Sequence, residues 1–236
     1  MNLSNKVINS INEYLKLSKN YVLTIGVYIK GKTDFLVFEN GNISKTNIYN
    51  YDLGSISKTF TAHLILNLVE EGKLNFEAKI DEYLNLKSGN YPTIKDLLLN
   101  EAGYHYFYPI KYTIKSLLKN GYAKSNVYFG LNNEIVLKNI KNNFKNTKKF
   151  KYSDFSYAIL ALIIEKTLNI SFDDALSEFL NTKLNLEETN ISYKSIHNLN
   201  CYKMNKNLNM YLHKYSVIKK ENMFSILLHD KNIYST

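Results

Sequence analysis

Apolar residues recur at helical spacing from the start of the chain. Leu3, Val7, Ile8, Ile11 and Leu15 share one face and predict an amphipathic helix of about four turns. The period then changes. Tyr21 to Ile29 is β-rich and almost continuously apolar, Lys30-Gly31-Lys32 reads as a turn, and Thr33 to Glu39 reads as a second strand closed by Asn40-Gly41. A helix followed by a hairpin predicts one edge of an α/β sheet layer with the helix packed on it.

From Ser57 to Glu71 the pattern is helical again. Phe60, Leu64, Ile65, Leu66, Leu68 and Val69 leave little polar face, which predicts a helix buried on most sides, and Gly72 is placed to end it in a left-handed cap. Lys73 to Leu86 reads as irregular around Ile80-Asp81-Glu82-Tyr83-Leu84. Pro92 opens a helix over Thr93 to Asn100 that stops at Gly103, and a further helical pattern runs from Asn133 to about Asn143 into a lysine-rich loop. Tyr152-Ser153-Asp154 precedes the most apolar helix, Phe155 to Leu168. Ser171 with Asp174 makes a capping-box-like start for the next, through Leu180. Beyond that, Ile191 to Tyr193 reads as a short strand, Asn198 to Lys214 is polar and tyrosine-rich without a clean period, and Met223 to Leu228 is a short apolar segment. No internal repeat or Pro/Gly/Ser linker interrupts the chain, so residues 1–236 read as one folding unit. Within it, 1–50 is helix plus hairpin, 51–195 a helical region, and 196–236 a segment of undefined pattern.

Composition narrows the function. The chain is 45% hydrophobic and 22% charged, ordinary for a soluble globular protein with a well-buried core. Its net charge of +9 comes from 30 lysines and no arginine. Phosphate and guanine recognition leans on arginine's planar fork, so the lysines read as solubilising surface and no nucleic-acid partner is expected. They are scattered apart from the run Lys145, Lys148, Lys149 and Lys151. The lone Cys201 excludes an internal disulfide. The N-terminus lacks a secretory pattern, and the longest apolar run, Phe155 to Ile164 (broken only by Ser156), is far short of the roughly 20 residues that span a bilayer. The expectation is a cytoplasmic protein with no membrane span. His63, His105, His197, His213 and His229 lack metal-ligand spacing, so neither metal nor cofactor is expected. Tyr104, Tyr106, Phe107 and Tyr108 read as an aromatic loop packed on the domain, with a substrate-cleft lining as the alternative.

The stretch that carries chemistry is Gly54-Ser55-Ile56-Ser57-Lys58-Thr59-Phe60-Thr61-Ala62. A serine hydroxyl is a poor nucleophile until something takes its proton. A lysine three residues on lies on the same helix face and can approach Ser55 Oγ. Free N–H groups and the positive end of the dipole at the helix start favour negative charge developing on the serine. The plainer alternative is that Ser55 or Ser57 is only an N-cap.

Around this stretch lie further blocks in a set order: Asp52-Leu53-Gly54-Ser55-Ile56-Ser57-Lys58-Thr59-Phe60-Thr61, Val69-Glu70-Glu71-Gly72-Lys73-Leu74, Ile80-Asp81-Glu82-Tyr83-Leu84, Thr93-Ile94-Lys95-Asp96-Leu97-Leu98-Leu99 and Tyr152-Ser153-Asp154-Phe155-Ser156-Tyr157-Ala158. Over about residues 5 to 195 the chain resembles the serine β-lactamase and penicillin-binding protein superfamily, most closely its class C-like branch of β-lactamases, D-peptidases and esterases. The resemblance implies a β-lactamase/transpeptidase-like α/β (α+β) fold, a helical region packed on an antiparallel sheet. It implies that Ser55 is the acyl-accepting nucleophile, Lys58 its proton partner, and Tyr152 the general base that returns a proton to the leaving group. A phenol ordinarily ionises near pH 10, so that last role needs a nearby cation, for which Lys58 is the obvious choice.

Three positions depart from the family pattern. The second triplet, usually Tyr-x-Asn, has Asp154, which places a substrate-binding position in the hands of a group that only accepts hydrogen bonds and that favours a protonated Lys58. No Lys-Thr-Gly-type strand follows Tyr152, and the only Lys-Ser-Gly, Lys87-Ser88-Gly89, precedes it in an expected loop. The loop before Tyr152 has Asn146-Thr147-Lys148-Lys149 where the family has Pro-Gly. The expectation is therefore an incomplete sheet lacking the C-terminal part, and two functions: a serine hydrolase acting through a Ser55 acyl-enzyme on a small-molecule or peptide amide or ester, or a truncated, inactive homologue serving as a binding module or without function. Closure of the sheet by residues 216 to 236 would favour the first.

Overall fold

The computed structural model describes residues 22–39, 42–43, 51–106, 108–112, 114, 132–186, 189–191, 200–204, 210–214 and 233–235. The helix expected over residues 3–15, the Asn40-Gly41 turn and the apolar segment 223–228 lie outside the described residues. In chain order the elements are β1 (Val22–Ile29), β2 (Lys32–Glu39), β3 (Asn42–Ile43), β4 (Tyr51–Asp52), α1 (Ser57–Glu70), α2 (Ile94–Leu98), α3 (Asn133–Asn139), α4 (Asp154–Leu168), α5 (Phe172–Glu178), β5 (Thr189–Ile191), β6 (Asn200–Met204), β7 (Met210–Lys214) and β8 (Ile233–Ser235). Short 3-10 turns lie at Gly54–Ile56 and Ile80–Glu82, and a π-helical turn at Phe179–Lys183. They fall into two compact units, residues 1–50 with 194–218, and residues 51–193 with 219–236.

In the first unit β1 and β2 form the expected antiparallel hairpin, in register from Val22↔Glu39 to Ile29↔Lys32, and β3 pairs with β2. The turn residues Lys30 and Gly31 have φ of 50° and 80°, the left-handed pair that matches strand twist in a two-residue hairpin. β6 and β7 form a second hairpin, from Asn200↔Lys214 to Met204↔Met210. It occupies the stretch whose sequence has no clean period, because lysine, tyrosine and apolar residues follow one another without a two-residue alternation.

The second unit is built around α4. Phe155 and every residue from Ala158 to Ile164 are buried. Against them pack Leu64, Ile65 and Leu68 of α1, Ile94 and Leu97 of α2, Val136 of α3, and Phe172, Ala175 and Leu176 of α5. A helix apolar all round is a core helix, and α4 meets that description. α1 does not. Only Ser57, Lys58, Thr61, Leu64, Ile65 and Leu68 are buried, and Leu66 is 42% exposed on the far side, so the expectation of burial on most faces is corrected. The reason is that α1 rests on α4 and α5, which cover one side of it.

Helix ends follow local chemistry. After α1, Gly72 (φ 69°) donates to Val69 O and Lys73 to Leu68 O, the paired bonds of a Schellman stop. α2 is capped by Thr93, which exchanges hydrogen bonds with Asp96. α3 stops at Asn139, short of the expected Asn143, because residues 142–144 are held in extended pairing: Asn90 N–H donates to Asn142 O and Phe144 N–H to Asn90 O. α4 begins at Asp154, one residue early, with Ser153 as its cap. α5 is capped by Ser171, which accepts from Asp174 N–H.

A small antiparallel sheet of order β4-β8-β5 belongs to this unit, with Tyr51↔Ser235 on one side of β8 and Thr189↔Ser235 on the other. Residues near the C-terminus thus pair beside the strand that leads into the Ser55 turn. Lys87-Ser88-Gly89 lies in a loop, where a Cβ on Gly89 would come within 2.6 Å of the Asn142 side chain. Among the described residues no single helix is long and apolar enough to cross a membrane.

Candidate active site

Ser55 sits in the Gly54–Ile56 turn, between β4 and α1. The turn is closed by Ile56 N–H donating to Leu53 O at 3.1 Å. Ile56, not a serine, occupies the N-cap position of α1, and no side chain caps the helix. Ser57 is the first helical residue and is buried. Neither hydroxyl is therefore committed to capping. Ser55 is exposed, and its Oγ accepts a hydrogen bond from Lys58 Nζ at 3.3 Å.

Lys58 lies one turn further on, buried at 5% exposure. Its Nζ is 2.8 Å from Asp154 Oδ1, 5.1 Å from the centroid of the Tyr152 ring and 5.7 Å from that of Tyr157. One carboxylate and two aromatic faces thus surround a desolvated ammonium, each stabilising positive charge. Tyr106 stacks on the other partner, Tyr152, with centroids 5.8 Å apart and planes at 23°.

The triplet Tyr152-Ser153-Asp154 reaches this place because Asn100 holds it. Asn100 follows α2 in the left-handed conformation (φ 56°), and its own carbonyl accepts from Lys151 N–H at 2.7 Å while its side-chain Oδ1 accepts from Ser153 N–H at 3.0 Å. Asparagine is one of the few residues that tolerates this backbone. Asp154 is then the first residue of the 15-residue α4, where the helix dipole favours a carboxylate. Its second oxygen, Oδ2, is buried and without a hydrogen-bond partner, as is the neighbouring Ser156 Oγ.

The four residues singled out in the sequence, Ser55, Lys58, Tyr152 and Asp154, are brought together. Sequence reasoning missed Asn100, whose bond to Ser153 spans 53 positions, and Tyr157. The aromatic cluster divides: Tyr104 and Tyr108 pack edge-on against Phe155 in the core, Tyr106 reaches Tyr152, and Phe107 is outside the described residues. Among the described residues no three His, Cys, Asp or Glu side chains converge.

Chemically, the arrangement presents an exposed hydroxyl to a buried lysine that also bridges to a carboxylate. The ammonium donates to Ser55, so the serine keeps its own proton in this state. Removing it requires a base, and Asp154 disfavours the neutral form of the adjoining Lys58 by stabilising the charge on Nζ.

The fold places the molecule among β-lactamase/transpeptidase-like proteins. The octameric penicillin-binding protein homologue of Pyrococcus abyssi superposes with a TM-score of 0.69 over 99% of this chain and 54% of its own, at 17% identity. The β-lactamase family model matches residues 50–203, and the chain belongs to that family. It is 27% identical over 144 residues to a β-lactamase of Providencia stuartii, covering 60% of this chain and 34% of that one. It is 25% identical over 172 residues to a teichoic acid D-alanine hydrolase of Staphylococcus aureus, covering 65% and 39% respectively. The chain thus spans between a third and two fifths of the length of the last two relatives and about half of the Pyrococcus homologue.

Proposed function

We propose that this protein is a serine hydrolase that forms an acyl-enzyme on Ser55 from an amide, peptide or ester substrate. The observation that carries the reading is that Ser55 Oγ is exposed and bonded to a buried lysine instead of capping its helix. In the acylation step Ser55 Oγ bonds to the substrate carbonyl carbon and its proton passes to neutral Lys58 or to a Tyr152 phenolate. The bond to the leaving amine or alcohol breaks, and that group takes up the proton. Water then cleaves the ester on Ser55 by the reverse order of events. Tyr106, stacked on Tyr152, fits a role in fixing the phenol ring.

One observation favours a second reading. The Lys58–Asp154 ion pair holds the lysine in its charged form, which suits a site that binds an acyl compound without turning it over. Hydrolysis of an activated ester, a chromogenic cephalosporin and a D-alanyl-D-alanine peptide, compared between the wild type and Ser55→Ala, separates the two. The hydrolase reading expects Ser55-dependent release from at least one substrate. Equal rates for both proteins on all three leave the binding reading.

A further inference from the structure

Lys141, Lys145 and Lys151 line one cavity of about 220 Å³, together with Asn143, Thr147 and Tyr104. Among the described residues no acidic side chain lines it and none of the three lysines has a carboxylate partner. Elsewhere lysines pair readily, as Lys95 does with Glu77 and Lys138 with Glu134. Lys141 and Lys151 are also held by backbone anchors on two sides. Lys141 N–H donates to Tyr104 Oη at 3.1 Å, Asn143 belongs to the stretch tied to Asn90, and Lys151 N–H donates to Asn100 O at 2.7 Å. Lys141 Nζ lies 4.8 Å and 5.6 Å from the ring centroids of Tyr108 and Tyr104, which fixes the ammonium at the wall. Lys141 and Lys151 repel one another, and partial burial together with Lys151 pushes the Lys141 ammonium below its ordinary ionisation range. A bound anion relieves that repulsion.

The geometry points to a binding site for a phosphate group, free or esterified to a small molecule, in the cavity between Lys141 and Lys151. The volume is below the roughly 300 Å³ at which pockets for drug-sized ligands begin, so a single compact group fits better than an extended ligand. Lysine ammoniums act as point charges on phosphate, and the Asn143 amide and Thr147 hydroxyl add neutral donors. Because Lys151 directly precedes Tyr152 and shares the Asn100 clamp with Ser153, an anion held there also steadies the approach to the triplet.

Titration calorimetry at constant ionic strength, with inorganic phosphate and with glycerol phosphate, tests this on the wild type, Lys141→Gln, Lys145→Gln and, as a control away from the cavity, Lys183→Gln. The expected result is saturable one-to-one binding of at least one ligand, the tighter of the two showing which form is preferred. Each cavity variant should weaken it about tenfold or more, as expected for loss of one charge-assisted contact, with the control unchanged. Saturable binding of neither ligand overturns the site, as does equal weakening in the control and the cavity variants, or no weakening in either cavity variant.

Discussion

Replacing Lys58 with methionine is expected to destabilise the protein by about 3–5 kcal/mol, the usual cost of removing one partner from a buried ion pair. The methionine fills similar space, so the loss comes chiefly from Asp154. Its Oδ1 would lose the 2.8 Å contact with Nζ, and its Oδ2 already has no partner, which leaves a buried carboxylate unpaired on both oxygens. The helix dipole of α4 offsets a fraction of this, typically under about 2 kcal/mol. For a chain of this length the loss corresponds to a fall in Tm of about 6–20 °C, readable by thermal unfolding. Adding Asp154→Leu to Lys58→Met should recover most of the loss, since a buried pair replaced on both sides by apolar groups is often neutral. A single-variant Tm within about 2 °C of wild type, less than 1 kcal/mol, would mean that the pair is solvated and that the buried-lysine account is wrong.

Asp154→Asn should act in the opposite direction on chemistry. The amide oxygen still accepts from Lys58, so the local geometry survives, but the charge that stabilises the ammonium is gone and an N–H donor is gained. The neutral fraction of Lys58 rises, and with it the supply of base for Ser55. Hydrolysis of an activated ester should rise by about tenfold or more, the smallest effect that a neighbouring opposite charge usually has on a protonation equilibrium. An unchanged or lower rate would count against Asp154 as the brake.

The parts of this protein that could be read from its sequence are those fixed by neighbours in the chain. The Lys30-Gly31 turn, the stop at Gly72 and the cap at Ser171 depend on residues within about five positions, and the structure has each where the pattern put it. Ser55 and Lys58 meet for the same reason, three positions apart on one helical turn. The approach of Asp154 and Tyr152 to them was suggested only by resemblance, because no local rule links residues a hundred positions apart. The Asn100 clamp that brings them in was invisible: an asparagine after a short helix reads as a turn residue, and nothing local says that its side chain will receive Ser153 N–H. The shortened α3 and the strand at Ile233–Ser235 were missed alike, since both are decided by pairing with distant segments that override local propensity.

The central claim is that Ser55 is a nucleophile. Treatment with a fluorophosphonate and, separately, with a fluorescent penicillin, followed by intact-mass measurement and peptide mapping of the wild type and Ser55→Ala, tests it most directly. The account predicts one covalent adduct per chain with at least one of the two probes, mapped to Ser55 and absent from Ser55→Ala. No adduct with either probe, or an adduct that persists in Ser55→Ala, would contradict it.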